Sequence, residues 1–292
     1  MELIAEAVPA YAAALRLDRR GASAVPPSSG APVHLLGAAA EATCAYWLTL
    51  DAVNFGSGWF PTLRKRDRRS GYHTVAMGIT DRFERLGPWS CDELARIDAS
   101  EIACVLGQDP GHELMGLFAA SLRDLGARIS AEHDGRFGAV IETAGSSAVA
   151  LAELLAHWDC FADVSGYAGL RVPFLKRAQI AAADLAQAGA APFADLDRLT
   201  MFADNLVPHV LRVDGLLRVE PELVGRIERG ELIEHGSPEE VEIRACALHA
   251  VELIVSARAS TCAVAVDRLL WTRGQEPRYK GSPRHRSRCT AY

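Results

Sequence analysis

Residues 206–228 read LVPHVLRVDGLLRVEPELVGRIE, and the way this stretch folds decides the class of the whole chain. Alternation of apolar and polar residues around Asp214-Gly215 is the pattern of a β-hairpin. The same letters also read as two short helices. Pro208 suits the first turn of one, Gly215 supplies its stop, and Pro221 suits the first turn of the next. The second reading is preferred because the flanking segments are helical in character. After it, Ser237-Pro238-Glu239-Glu240 is a start signal: Ser237 can cap, Pro238 fits the first helical position, and Glu240 completes a capping box. That helix is expected to reach about Arg258, with a last one over 261–272. Before it, helices are expected from Pro173 to about 188 and over 195–202.

Working back, residues 3–18, 34–50, 91–105, 110–126 and 145–161 show helical spacing or composition. Residues 72–77 and 137–141 read as short strands, and Gly21 to Pro32 as a Gly/Pro/Ser-rich connector. The expected architecture is all-α with few short strands. It forms a single domain over 1–292, with lobes over 1–168 and 169–292.

Composition narrows the function. The chain has 292 residues, 49% hydrophobic and 23% charged, with a net charge of −6. A core of some size is affordable, and the surface is ordinary. No apolar run approaches the roughly 18 residues of a membrane span. The first fifteen residues lack a basic leader pattern, so a cytoplasmic protein with no membrane partner is expected. Seven cysteines with no CxxC point to reduced thiols and to no zinc site. The acidic balance argues against a stable nucleic-acid partner, which would need many phosphate contacts. Two basic runs stand out, Leu63 to Arg69 and the tail carrying Arg273, Arg278, Lys280, Arg284, Arg286 and Arg288. They read as solvated faces, or as a pocket for one small phosphate.

The common signatures are absent: no phosphate loop, no dinucleotide fingerprint and no nucleophile elbow. His112-Glu113 lacks the second histidine of a zinc helix. Neither metal nor organic cofactor is expected. What remains is a set of polar residues in apolar settings. In Thr200-Met201-Phe202-Ala203-Asp204-Asn205, Asp204 or Asn205 caps the next helix, or Asp204 faces a pocket. Lys176 and Arg177 sit at a helix start against the dipole, as solvated charges or as binders of a phosphate or carboxylate. Glu242, His249 and Glu252 share one side of the helix from Pro238, as does Cys246. Asn54, Trp59 and their neighbours could pack a core or form a base-stacking wall. Asp267 and Arg268 lie beside Trp271 on the last helix.

Taken together, DAVNFGSGWF at 51–60, FLKRAQIAAADL at 174–185, LTMFADNLVPHVLR at 199–212, EIRACALHAVELI at 242–254 and HRSRC at 285–289 resemble the queuosine-salvage family, the queuosine 5′-phosphate N-glycosylases. The FAD-x-x-VP-x-VL stretch is the most distinctive. The family is usually bulkier, NFxFW-like, where this chain has NFGSGWF. The resemblance implies a two-lobed helical fold related to the helix–hairpin–helix DNA glycosylases. It also implies hydrolysis of queuosine 5′-monophosphate to queuine and ribose 5-phosphate, without a cofactor. On that reading Asp204 is the catalytic carboxylate and Lys176 its partner or a phosphate contact. Phe202, Asn54, Trp59, Glu252, Asp267 and Arg268 would bind substrate. A monomer acting on a small nucleotide is expected. The competing readings are a non-enzymatic queuine-binding or delivery protein and a DNA-repair glycosylase using Lys176 as a Schiff-base nucleophile.

Overall fold

The computed structural model describes residues 1–16, 33–258 and 260–292. Its helices are α1 (Val8–Ala14), α2 (Ala40–Ala52), α3 (Gly71–Leu86), α4 (Cys91–Arg96), α5 (Ala99–Leu106), α6 (Glu113–His133), α7 (Phe137–Ala144), α8 (Ala148–Ala156), α9 (Lys176–Gln187), α10 (Leu206–Val213), α11 (Pro221–Glu228), α12 (Pro238–Ser256), α13 (Ala263–Arg273) and α14 (Pro277–Lys280). The strands are β1 (Glu2–Leu3), β2 (Val164–Tyr167), β3 (Leu170–Pro173) and β4 (Leu217–Arg218). The fold is mostly helical, as expected. The connector Gly21 to Pro32 and the end of the 3–18 segment lie outside the described residues.

Residues 206–228 fold as two helices. Gly215, with φ +86°, takes the left-handed turn that ends α10, and the Leu216 N–H reaches back to the Leu211 carbonyl at 2.9 Å. This 6→1 bond closes a helix C-terminus. Pro221 opens α11. The alternation that suggested a hairpin has a separate cause: β4 pairs antiparallel with β1, at the other end of the chain.

Some expected elements differ. Residues 72–77 lie in α3 and 137–141 in α7. Short apolar runs do not separate a buried helix from a strand, and here Ser70 accepts the His73 N–H to start α3. The 91–105 stretch breaks at Ile97, and Asp98 caps α5. Pro173 ends β3 rather than opening α9, and Leu175 holds φ +50° just before α9 starts. The 195–202 stretch forms only a 3₁₀ turn, Leu196–Arg198. Ser237 caps α12 as expected, but Glu240 accepts from the Gly236 N–H at 3.1 Å, one residue before the box position.

Packing forms two main apolar cores. One gathers α2 to α9 around Phe118, Leu122, Leu155 and Trp158. The other gathers α10, α12 and α13, with α1 folded back onto them. Between them runs an irregular segment whose side chains alternate over 201–203. Leu199 and Phe202 enter the first core, and Met201 and Ala203 enter the second. Asp204 sits at the end of this segment, where α10 begins. The tail after α14 closes over the loop following α2. The Gly56 N–H donates to the Tyr292 backbone oxygen at 3.0 Å. A Cβ on Gly58 would stand 2.5 Å from the Ser287 carbonyl oxygen, so the tail requires glycine there, whereas Gly56 has φ +104° and its Cβ would meet Leu114.

Gly58→Ala should lower stability by about 1–3 kcal/mol, the usual cost of overpacking. Urea unfolding of the full chain measures it; an unshifted midpoint would show that the tail yields freely.

Candidate active site

Polar chemistry in this molecule concentrates where the two cores meet. Arg244, on α12, is fully buried and its Nη2 donates to Asp163 Oδ2 at 2.6 Å. Its Nε donates to the Ala203 carbonyl at 2.8 Å, the residue before Asp204. The same Asp163 oxygen accepts the Lys176 backbone N–H at 3.0 Å. Arg244 stacks on Phe174 at 3.9 Å and on Tyr292 at 4.6 Å. One ion pair therefore fixes the start of α9, the approach to α10 and the tail.

Asp204 caps the start of α10. Its Oδ1 accepts the Leu206 and Val207 N–H groups at 2.7 and 3.2 Å. Its Oδ2 makes no hydrogen bond among the described residues, and the side chain is half-buried. The capping reading holds: one oxygen is fixed by two amides, and the other is left without a hydrogen-bond partner among the described residues. Asn205 instead donates to the His285 carbonyl at 3.1 Å.

Lys176 is buried, not solvated. Its Nζ donates to the Asn54 carbonyl at 2.8 Å and to Asn54 Oδ1 at 3.2 Å. Burial pulls its ammonium down to about 8; Asp204 resists that shift, Arg177 adds to it, and Asp51 and Asp163 also resist. Arg177 has a structural task. It is buried against Phe55 and Phe161 and donates to the Ala52 carbonyl at 2.6 Å and to the Cys160 carbonyl.

Three further carboxylates belong to this region. Asp267 Oδ1 accepts the Phe202 N–H at 3.0 Å, and burial, then Asp204, push its carboxyl well up. Asp51 Oδ1 accepts from Asn54 at 3.2 Å, while Oδ2 is buried without a partner. Burial and then Asp184 push Asp51 well up. Burial lifts Asp184 to about 6, against Arg268 and Lys176. Arg268 lies 3.5 Å from Asp184.

Of the residues singled out in the sequence, Asp204, Lys176, Asn54, Phe202, Asp267 and Arg268 come together. Two do not join them through any hydrogen bond or ion pair among the described residues. Trp59 donates its indole N–H to Glu113 at 2.7 Å and stacks under Arg288. Glu252, on α12, has His249 as the charged neighbour that its carboxyl feels, and burial is what lifts it. Asp51, Asp184, Asp163 and Arg244 were missed. For Asp184 a signal existed, since it stands eight residues after Lys176 on the same face of α9. The small cavity beside Pro208, His209, Arg212 and His285 includes neither Asp204 nor Lys176. Chemistry rather than volume identifies the site. Among the described residues no group of His, Cys, Asp or Glu is arranged to hold a metal ion, and no helix is long and apolar enough to cross a membrane.

Comparison with known proteins places the chain among relatives. A family model described as queuosine salvage protein matches residues 34–292. The chain is 38% identical to the queuosine 5′-phosphate N-glycosylase/hydrolase of Sphaerobacter thermophilus, over 86% of this chain and 82% of the relative. It is 31% identical to the protein of that name in Dictyostelium discoideum, over 86% and 79%. With the Mus musculus protein it shares 33% identity over 59% and 56%.

Arg244→Met leaves Asp163 buried without its cation and should cost about 3–5 kcal/mol, the range for breaking a buried ion pair. Denaturant unfolding measures it, and a loss under about 1 kcal/mol would contradict the clamp. Asp51 gives a pH test. Its folded pKa lies above the unfolded value of 3.8, so the folded chain holds the proton more tightly. That contribution is full at low pH and fades as pH rises above the unfolded value. Asp51→Asn should therefore gain melting temperature relative to wild type over the range above about pH 4. Parallel melting curves across that range would rule out the burial of an ionising carboxyl at 51.

Proposed function

Because the chain belongs to the queuosine salvage protein family, we propose that it hydrolyses the N-glycosidic bond of queuosine 5′-phosphate and releases queuine. The observation that carries this reading is Asp204. It is a carboxylate with one oxygen fixed by two amides and the other without a hydrogen-bond partner among the described residues, at the junction of both cores.

Queuine is a 7-deazaguanine, so carbon replaces the N7 that could be protonated to activate a purine leaving group. The help must come from the sugar side and from contacts to the departing base. Cleavage develops oxocarbenium character at C1′. A carboxylate beneath C1′ stabilises that charge or orients the attacking water, and preorganised charge of this kind is often the largest catalytic contribution. Asp204 takes this role. Lys176, held by Asn54, sets the field around it. Phe202 supports the base by stacking. Asp267, with one oxygen occupied by the Phe202 N–H, meets the polar edge of the base, and Arg268 with Asp184 lines the same region. The two-helix unit of 206–228 is the local element in keeping with a DNA-glycosylase-like arrangement. A net charge of −6 favours a mononucleotide over a polymer. A monomeric, single-domain, cytoplasmic protein completes the proposal.

The test is incubation of the purified protein with queuosine 5′-monophosphate in the presence of EDTA, with free queuine followed by chromatography. Wild type should release queuine. Folded Asp204→Asn should be slower by about 100-fold or more, the loss typical of one preorganised group. Tight queuine binding without turnover would instead favour a carrier protein, and full activity in Asp204→Asn would remove Asp204 from the chemistry.

A further inference from the structure

Asp51 is a buried acid that the proposed chemistry does not use. It lies near the end of α2, fully withdrawn from water. Its Oδ1 accepts the Asn54 side-chain amide at 3.2 Å, and its Oδ2 is buried without a hydrogen-bond partner among the described residues. Burying an oxygen in that state costs stability. A leucine of similar size would avoid the cost, so packing does not account for an acid at this position.

Asn54 stands between Asp51 and Lys176. The Lys176 Nζ donates to the Asn54 carbonyl at 2.8 Å and to Asn54 Oδ1 at 3.2 Å. An ammonium has donors only, so the oxygen of the Asn54 amide must face it. The NH2 of the same amide then points the other way and needs an acceptor, which Asp51 Oδ1 supplies. Turned over, the amide would set its NH2 against the ammonium. The support behind Asn54 is rigid. α2 ends at Ala52, whose carbonyl accepts from Ser121 Oγ and from Arg177 Nη1, both at 2.6 Å. The Asn54 N–H reaches back to the Asp51 carbonyl at 3.2 Å. Lys176 and Arg177 oppose the dipole of their own helix, α9. The acceptors that offset this are the carbonyls of Ala52 and Asn54, at the end of α2. Asp51 belongs to the same short segment that receives both cations.

We propose that Asp51 is a positioning residue: through the Asn54 amide it fixes the Lys176 ammonium beside Asp204 for cleavage of the glycosidic bond. Asp51 does not touch the substrate. The assignment rests on the reading of the chain as a nucleotide glycosylase in which Lys176 sets the field around Asp204. A lysine ammonium is a point charge on a flexible stem. It becomes a precise charge only when its acceptors are themselves held, and Asp51 holds the one acceptor, Asn54 Oδ1, that could otherwise rotate away.

The experiment is NMR of the lysine side-chain ammonium groups of the full chain, below about pH 8 so that Lys176 keeps its proton, with Lys176→Met for assignment. In wild type the Lys176 ammonium should exchange its hydrogens slowly with water, because it is buried and bonded. Asp51→Leu should lose that protection. In kinetics with queuosine 5′-phosphate, kcat of Asp51→Leu should fall by about 10- to 100-fold, the scale of a misplaced group, and KM should change less. Asp51→Asn keeps an acceptor for the Asn54 amide and should recover both the protection and most of kcat. Asp51→Ala removes the acceptor with a smaller side chain and carries the same test if the leucine variant does not fold. An unchanged Lys176 signal or an unchanged kcat in either folded variant overturns the assignment. Loss of protection in Asp51→Leu, in a protein whose wild type releases no queuine, keeps the Asp51–Asn54–Lys176 linkage and removes the hydrolase reading.

Discussion

The buried pair of Arg244 and Asp163 is the interaction on which the site depends. Both side chains are withdrawn from water, and a pair of that kind stabilises little by itself. Its value is geometric. Arg244 comes from α12 in the second core, whereas Asp163 precedes the β2–β3 ribbon that leads to α9 in the first. Through the Ala203 carbonyl and the Lys176 N–H, the pair sets where Asp204 and Lys176 begin. Hydrophobic packing is tolerant of small shifts between cores. Charged hydrogen bonds of 2.6 to 3.0 Å are not.

The region that this clamp holds is electrostatically uneasy. Asp51, Asp184, Asp204 and Asp267 gather near Lys176 and Arg268, and burial drives three of the carboxyls upward. A core selected only for stability would place apolar residues at such positions. Perturbed groups clustered at one locus are characteristic of chemical sites. The surplus of acid also explains why cations in the vicinity are withdrawn from solvent: Lys176 loses hydration but gains the field of Asp204 and Asp51.

How far the sequence shows this depends on the range of the interaction. Local signals were legible. Gly215 and Pro221 mark the two helices of 206–228, and Ser237-Pro238 marks the start of α12. Local signals misled where tertiary contacts decide: 72–77 and 137–141 carry too few residues for a period, and Leu217-Arg218 became a strand only by meeting Glu2-Leu3. The distinctive FAD motif located Asp204, but its cores could not be read, because Phe202 and Ala203 serve different ones. Asp163 and Arg244 stand 81 residues apart, so neither one's neighbours announce the pair. Trp59 and Glu252 show the converse. Their residue types suit ligand contact, but an indole committed to Glu113 and a carboxylate beside His249 were already placed elsewhere by packing.

The segment 199–204, whose side chains enter both cores, explains why a carboxylate at this point can have one oxygen fixed and the other unbonded. The segment between the two cores is held on both faces, and among the described residues it pairs with no strand. Its last residue must hand the chain to α10, whose first amides need an acceptor. Asp204 satisfies them with one oxygen, as a cap at any helix start would. Because both cores and the Arg244 bond fix the backbone before it, the remaining oxygen has little freedom to swing. A reactive group is most precise when its supports are rigid elements and its own rotamer is locked. Here an ordinary helix cap does the locking, so the feature that makes Asp204 look structural is also the orientation that its proposed role would require.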